Sequence, residues 1–204
     1  MSALDCVNGP YEGTLFWRDA QRRKDAGLEH SVLTSGEKIT QLLPTYKRLR
    51  LTHEDGYTYP QQFMAEGETA TGRQAGKLEV KFSSYKTGVF TYDGQSGEYL
   101  VEEYGAPYVD ANNGLQVSVK NVLVLFTNVR DVEGDTKGRK EVDVVGSGSG
   151  LFLCDGAEQD ITWKRTGIDQ PLCYYDQQGN PLKLGVGSSY VNILGKGAKV
   201  TTME

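Results

Sequence analysis

The sequence predicts a mainly β protein: an antiparallel β sandwich or partly closed barrel, with one short N-terminal helix. Three observations carry this reading. Glycine supplies 25 of the 204 residues, about 12% against a usual value near 7%, which marks a turn-rich chain. Apolar residues reach 38%, with 12 Tyr and 6 Phe, enough to bury a core rather than leave the chain disordered. Beyond residue 66, apolar residues recur with period 2 in roughly nine short runs, with no helical period between them.

The elements follow in order. Leu15-Phe16-Trp17 reads as a short apolar strand, succeeded by the charged stretch 18–25. Thr34, with Glu37 three residues later, forms a capping box that opens a helix. Ile39, Leu42, Leu43 and Tyr46 lie at i, i+3, i+4 and i+7 and give that helix one apolar face. Pro44 ends or kinks it near Leu43. The polar, Gly-rich stretch 66–77 is a loop, so residues 1–65 are expected as a strand-plus-helix domain and 66–204 as the β domain.

Within the β domain, Leu78, Val80 and Phe82 alternate with Glu79, Lys81 and Ser83. The runs 89–92 and 99–101 flank the turn 93–97 as a hairpin. Residues 117–126 form a long β-branched run suited to a central strand. The run 142–145 leads through Gly146-Ser147-Gly148-Ser149-Gly150 into Leu151-Phe152-Leu153-Cys154. Asp155-Gly156 turns the chain into the return strand 161–164, and a turn at 178–181 precedes the last run, 190–194.

Charge and hydropathy exclude several functions. Lys and Arg number 22 against 27 Asp and Glu, a net charge of −5, which argues against a protein held on nucleic acid by phosphate contacts. No run approaches the ~18 apolar residues of a membrane span. Met1-Ser2-Ala3-Leu4-Asp5-Cys6 looks superficially like a lipoprotein cleavage box. It lacks the apolar stretch of about 7–15 residues that a leader requires, so membrane attachment is expected only through a lipid anchor absent from this chain.

Motif geometry narrows the chemistry further. A Gly-rich loop cradles phosphate when it opens a helix. Here a strand follows residues 146–150, so a bulge or strand crossing is expected instead. Asp131, Glu133 and Asp135 have the spacing that starts a calcium loop, but Thr136 and Val142 occupy the positions that need Gly and Glu. That segment reads as a solvated hairpin tip, and no metal or cofactor is expected. His30 and His53 are the two histidines, which limits any triad or zinc site. His53 reads as an exposed turn residue. His30 and Asp110 are the candidate catalytic residues, although Asp110 and Asp93 both open turns that Asp favours for local bonding alone. Cys6, Cys154 and Cys173 are too sparse for a disulfide framework. Cys154 reads as a buried thiol, and whether it pairs with Cys173 stays open.

Several segments together resemble the YerB-like family of bacterial lipoproteins. Glu29-His30-Ser31-Val32-Leu33-Thr34-Ser35, preceded by Arg22-Arg23-Lys24, resembles the end of that family's first part. Tyr92-Asp93, Gly97-Glu98-Tyr99, Pro107-Tyr108-Val109-Asp110 and Asn121-Val122-Leu123-Val124 then occur in family order. Gly146 and Gly148, Asp155-Gly156, Thr162-Trp163-Lys164 and the stretch 176–181 continue it. Tyr108 stands where the resemblance leads one to expect His. The chain is expected to begin partway through the family's first part, without its N-terminal α/β portion or lipid-anchor signal. The resemblance implies an extracytoplasmic domain of unknown function in the envelope of Gram-positive bacteria, with no established reaction. The expected function is a non-catalytic module binding an envelope protein or cell-wall glycan. Tyr92, Asp93, Asp110, Asn121 and Trp163 are its expected binding residues, because Tyr and Trp offer flat amphipathic contact area. The alternative is an envelope hydrolase or transferase in which His30 works with a carboxylate such as Asp110.

Overall fold

A computed structural model of the protein describes residues 13–47, 49–53 and 55–204; Cys6 and the cleavage-box-like start lie outside them. The chain divides into two compact units, Met1–Thr58 and Tyr59–Glu204. In the first, β1 (Trp17–Arg18) pairs antiparallel with β2 (Val32–Leu33), and α1 (Ala20–Ala26) and a 3-10 turn, Leu28–His30, lie between them. A second helix, α2 (Gly36–Leu42), follows. The expected single helix is thus two. Asp19 opens α1 by accepting from Arg22 N–H at 2.7 Å, a cap that needs no apolar stripe. With no buried residue, α1 leaves no periodicity to read.

The cap of α2 also shifts by one residue. Ser35 accepts from Lys38 N–H at 3.2 Å, while the Thr34 hydroxyl donates to Leu15 O at 2.9 Å. Pro44 lies in a 3-10 turn, Leu43–Thr45, where its missing N–H and fixed φ end the helix as expected.

The second unit holds β3 (Gln62–Phe63), β4 (Arg73–Gln74), β5 (Lys77–Lys81), β6 (Thr87–Asp93), β7 (Glu98–Glu103) and β8 (Ala106–Pro107). They are followed by β9 (Ser118–Val119), β10 (Asn121–Thr127), β11 (Val129–Asp131), β12 (Lys140–Val142) and β13 (Gly146–Cys154). The last are β14 (Ala157–Arg165), β15 (Cys173–Tyr175), β16 (Lys183–Leu184), β17 (Ser189–Gly195) and β18 (Val200–Met203). One open sheet runs β18-β5-β6-β7-β8, with β9 also on β7; the other runs β15-β14-β13-β10-β17, with β4 also on β14. The result is the sandwich arrangement and not a closed barrel.

Between the sheets, Leu78, Val80, Phe90, Tyr99 and Val101 meet Val122, Val124, Leu153 and Leu194. On the other face of the second sheet, Leu123, Leu125, Phe152, Ile161 and Trp163 are covered by Leu182, Leu184 and half-buried Met64 and Leu172. Each fully buried side chain of this size contributes about 1.5–3 kcal/mol. Covering on both faces explains why β10 is almost continuously apolar.

Pairing is not wholly antiparallel. β10 and β17 run parallel, from Asn121↔Ser189 to Thr127↔Gly195, and β16 pairs parallel with β3. A long connection such as that from β10 to β17 permits either direction, so alternation along a strand cannot fix it. The glycine run 146–150 forms no bulge: β13 pairs with β14 in unbroken register from Gly146↔Arg165 to Cys154↔Ala157. A Cβ at Gly148 would lie 2.3 Å from Phe126 O, and one at Gly150 would lie 2.4 Å from Val124 O. At Gly148 and Gly150 the backbone of β10 passes too close for any side chain.

Candidate functional site

Lys120 is the single residue between β9, on one sheet, and β10, on the other. At this crossing its ammonium donates to the Asp155 carboxylate and to Gly97 O, the latter at 3.2 Å. Asp155 occupies the tight turn between β13 and β14, where Asp155 and Gly156 have φ of 53° and 73°. Positive φ at both turn residues is the hairpin geometry that Asp-Gly favours, so the fold itself explains this backbone. The same carboxylate accepts from Ala70 N–H at 3.1 Å.

Lys120 and Asp155 line a cavity of about 490 Å³ together with segment 64–69, Gly185 and Val186. Their side chains are 23% and 15% exposed, so the pair is shielded from bulk water yet open to the cavity. The wall at Gly185 is bare backbone, since a Cβ there would lie 2.7 Å from Cys154 Sγ and 2.9 Å from Lys120 Cγ.

The electrostatics set the charge state of each group. Burial pushes the Asp155 carboxyl upward, but the Lys120 hydrogen bond and the Ala70 N–H outweigh it and hold Asp155 below its ordinary value. The Asp155 hydrogen bond, opposed by burial, holds Lys120 above its ordinary value. Burial, helped by the charge of Asp155, pushes the Cys154 thiol up to about 12. At neutral pH the carboxylate stays charged, the ammonium stays protonated and the thiol is no nucleophile. What remains is a fixed pair of opposite charges beside a hollow, suited to orienting a polar ligand.

Three of the expected binding residues, Tyr92, Asp93 and Asn121, do not line this cavity but touch the segments that frame it. The Tyr92 ring lies against the Asp155-Gly156 turn, 2.9 Å from where a Gly156 Cβ would stand. Asp93 caps the turn that presents Gly97 O to Lys120, accepting from Gln95 N–H at 3.1 Å and Ser96 N–H at 3.2 Å. Asn121 is fully buried and holds the cavity wall, donating to Gly185 O and accepting from Gly185 N–H, both at 2.8 Å.

The others lie elsewhere. Trp163 is 3% exposed, donates to Phe126 O at 3.1 Å and lines a separate cavity of about 90 Å³ with Leu125, Leu172 and Ile193. Asp110 caps its own turn, accepting from Asn112 N–H at 2.8 Å. His30 is exposed at the end of the 3-10 turn in the other unit. Cys154 and Cys173 are free thiols, which answers the question of their pairing. Among the described residues no cluster of three or more His, Cys, Asp or Glu could hold a metal ion, and no helix is long and apolar enough to cross a membrane. Sequence reasoning missed Lys120 and read Asp155 only as a turn residue. A lone Lys inside the apolar run 117–126 was the available signal.

A second constellation stands on the β5–β6 and β7–β8 hairpins. Lys86 Nζ lies 5.1 Å from the centre of the Phe82 ring and 5.5 Å from that of Tyr104, within the range of cation–π attraction. It also pairs with Glu103 at 3.1 Å, and Glu103 accepts from the Tyr190 hydroxyl at 2.6 Å. Tyr85, on the loop beside Lys86, and Tyr104 are 78% and 62% exposed.

This two-sheet domain is one for which no activity is established. Residues 78–191, more than half of the chain, match the family described as protein of unknown function (DUF3048) C-terminal domain, and the chain belongs to that family. The crystal structure of YerB protein from Bacillus subtilis is similar, with a TM-score of 0.72 at 20% sequence identity. That likeness covers 95% of this chain and 61% of YerB, so the chain spans less than two thirds of the YerB structure. It bears out the YerB-like resemblance as one of fold. No curated protein matches the sequence. Lys120, Asp155 and Gly185 all fall inside the matched residues.

Proposed function

We propose that the protein is a non-catalytic binding module of the bacterial cell envelope, taking a wall glycan or an envelope protein at the Lys120–Asp155 cavity. One observation carries this reading: the cavity presents a paired ammonium and carboxylate whose charges are locked by hydrogen bonds, an arrangement that orients a ligand without exchanging protons with it. The envelope location follows from the YerB-like resemblance.

The test is sedimentation with purified cell-wall sacculi, comparing the full chain with Lys120→Ala. Losing one charged hydrogen bond to a ligand weakens affinity by about tenfold or more. Co-sedimentation of the wild type, reduced at least tenfold in the variant, is the expected result. Release of soluble wall fragments by the wild type, abolished in His30→Ala, would replace this reading with the hydrolase alternative.

A further inference from the structure

We propose that Tyr104, Phe82 and the Lys86–Glu103 ion pair form a carbohydrate-binding shelf that stacks the pyranose rings of a wall oligosaccharide. This goes beyond the cavity: it rests on the binding function above but names a ligand class and a second surface for it.

Tyr104 carries the argument. With Gly105 it forms the β7–β8 turn at φ 56° and 76°, both in the left-handed region. Asn-Gly is the pair that such a turn favours, and a bulky side chain at its first position works against the backbone. Tyr104 is 62% exposed, and its ring centre lies 5.5 Å from the Lys86 ammonium. A bulky, largely exposed residue at odds with its local backbone points to function.

The surroundings choose the ligand. Lys86 is fixed between the Phe82 and Tyr104 rings and tied to Glu103, which Tyr190 in turn hydrogen-bonds. The centres of interfaces between proteins are depleted in Lys and Glu, whereas here such a pair stands at the middle of the cluster. Donors and an acceptor beside an exposed ring suit a sugar, whose C–H face packs on the ring while its hydroxyls reach the charges.

The experiment measures binding of chitotetraose to the full chain by calorimetry, with Tyr104→Asn and Tyr104→Phe beside the wild type. Tyr104→Asn is expected to weaken binding at least tenfold while raising Tm by about 2–4 °C, because the turn gains its favoured residue. Tyr104→Phe keeps the ring and is expected to retain binding. Unchanged chitotetraose binding in Tyr104→Asn overturns the shelf. Binding of sacculi without any binding of chitotetraose by the wild type overturns it too, and leaves the cavity reading standing. Failure to bind either ligand removes both. A purified envelope protein, rather than the sugar, losing affinity for Tyr104→Asn would make the shelf a protein contact and contradict the proposal.

Discussion

Lys120 stands inside an apolar run because the chain leaves one sheet and enters the other at that residue, and its side chain turns to Asp155. Replacing it with Met leaves a carboxylate that is 15% exposed without its counter-charge. The loss is expected to be about 2 kcal/mol near pH 7, a Tm drop of about 4–8 °C. Its pH dependence has a definite sign. The folded carboxyl lies below its unfolded value, so the stability it adds is fully present above that unfolded value and disappears as pH falls through the folded one. In Lys120→Met, burial still pushes Asp155 up, the hydrogen bonds from Ala70 N–H and Cys154 still pull it down, and the pull of Lys120 is gone, so its carboxyl lies above its place in the wild type. The gap in Tm between the two proteins is therefore widest at neutral pH and narrows as pH falls into the carboxylate range. A gap that stays constant from pH 7 to pH 4 would refute the ion pair's role.

Cys154 gives a second test at this scale. Buried, and with its thiol pushed up to about 12, it should resist iodoacetamide at pH 8 in the native protein and react after denaturation, as read by peptide mass spectrometry. Half-buried Cys173 should react faster. That Cys154 is buried was legible from the apolar residues before it. That Asn121 is buried was not: an Asn at a strand start looks the same whether its amide faces solvent or clamps a neighbouring loop.

Along the elements, hairpins were the most legible feature. Turn pairs such as Asp155-Gly156 and the segment 93–97 carry their own backbone requirements, so their places emerged from the sequence directly. Strand order did not, because period-2 alternation says which residues share a face and nothing about the neighbour. The parallel β10–β17 pair and the short strand β18 escaped for that reason, and α1 escaped because a fully exposed helix has no apolar stripe. The glycines of β13 make the sharpest test of how closely β10 passes. Gly150→Ala would place its Cβ 2.4 Å from Val124 O, and a backbone atom cannot yield as a flexible side chain can. The expected destabilisation is about 3 kcal/mol, measured by chemical denaturation; a change below about 0.5 kcal/mol would contradict the packing described.

At the scale of the molecule, composition and periodicity were enough to read a mainly β sandwich, and the order of short motifs pointed to the family. The cavity was illegible, because it joins residues from four distant parts of the second unit: segment 64–69, the Lys120 crossing, the Asp155 turn and Gly185–Val186. None of them forms a motif alone. The central claim is that this assembly binds without reacting. Incubating the isotope-labelled full chain with soluble muropeptides, and following both partners by NMR, tests it most directly. The account predicts reversible shifts of the amides around Lys120, Asp155 and Gly185 while the muropeptide spectrum returns unchanged on dilution. New product resonances from the muropeptide, or amides around the cavity that fail to move when ligand binds, would contradict it.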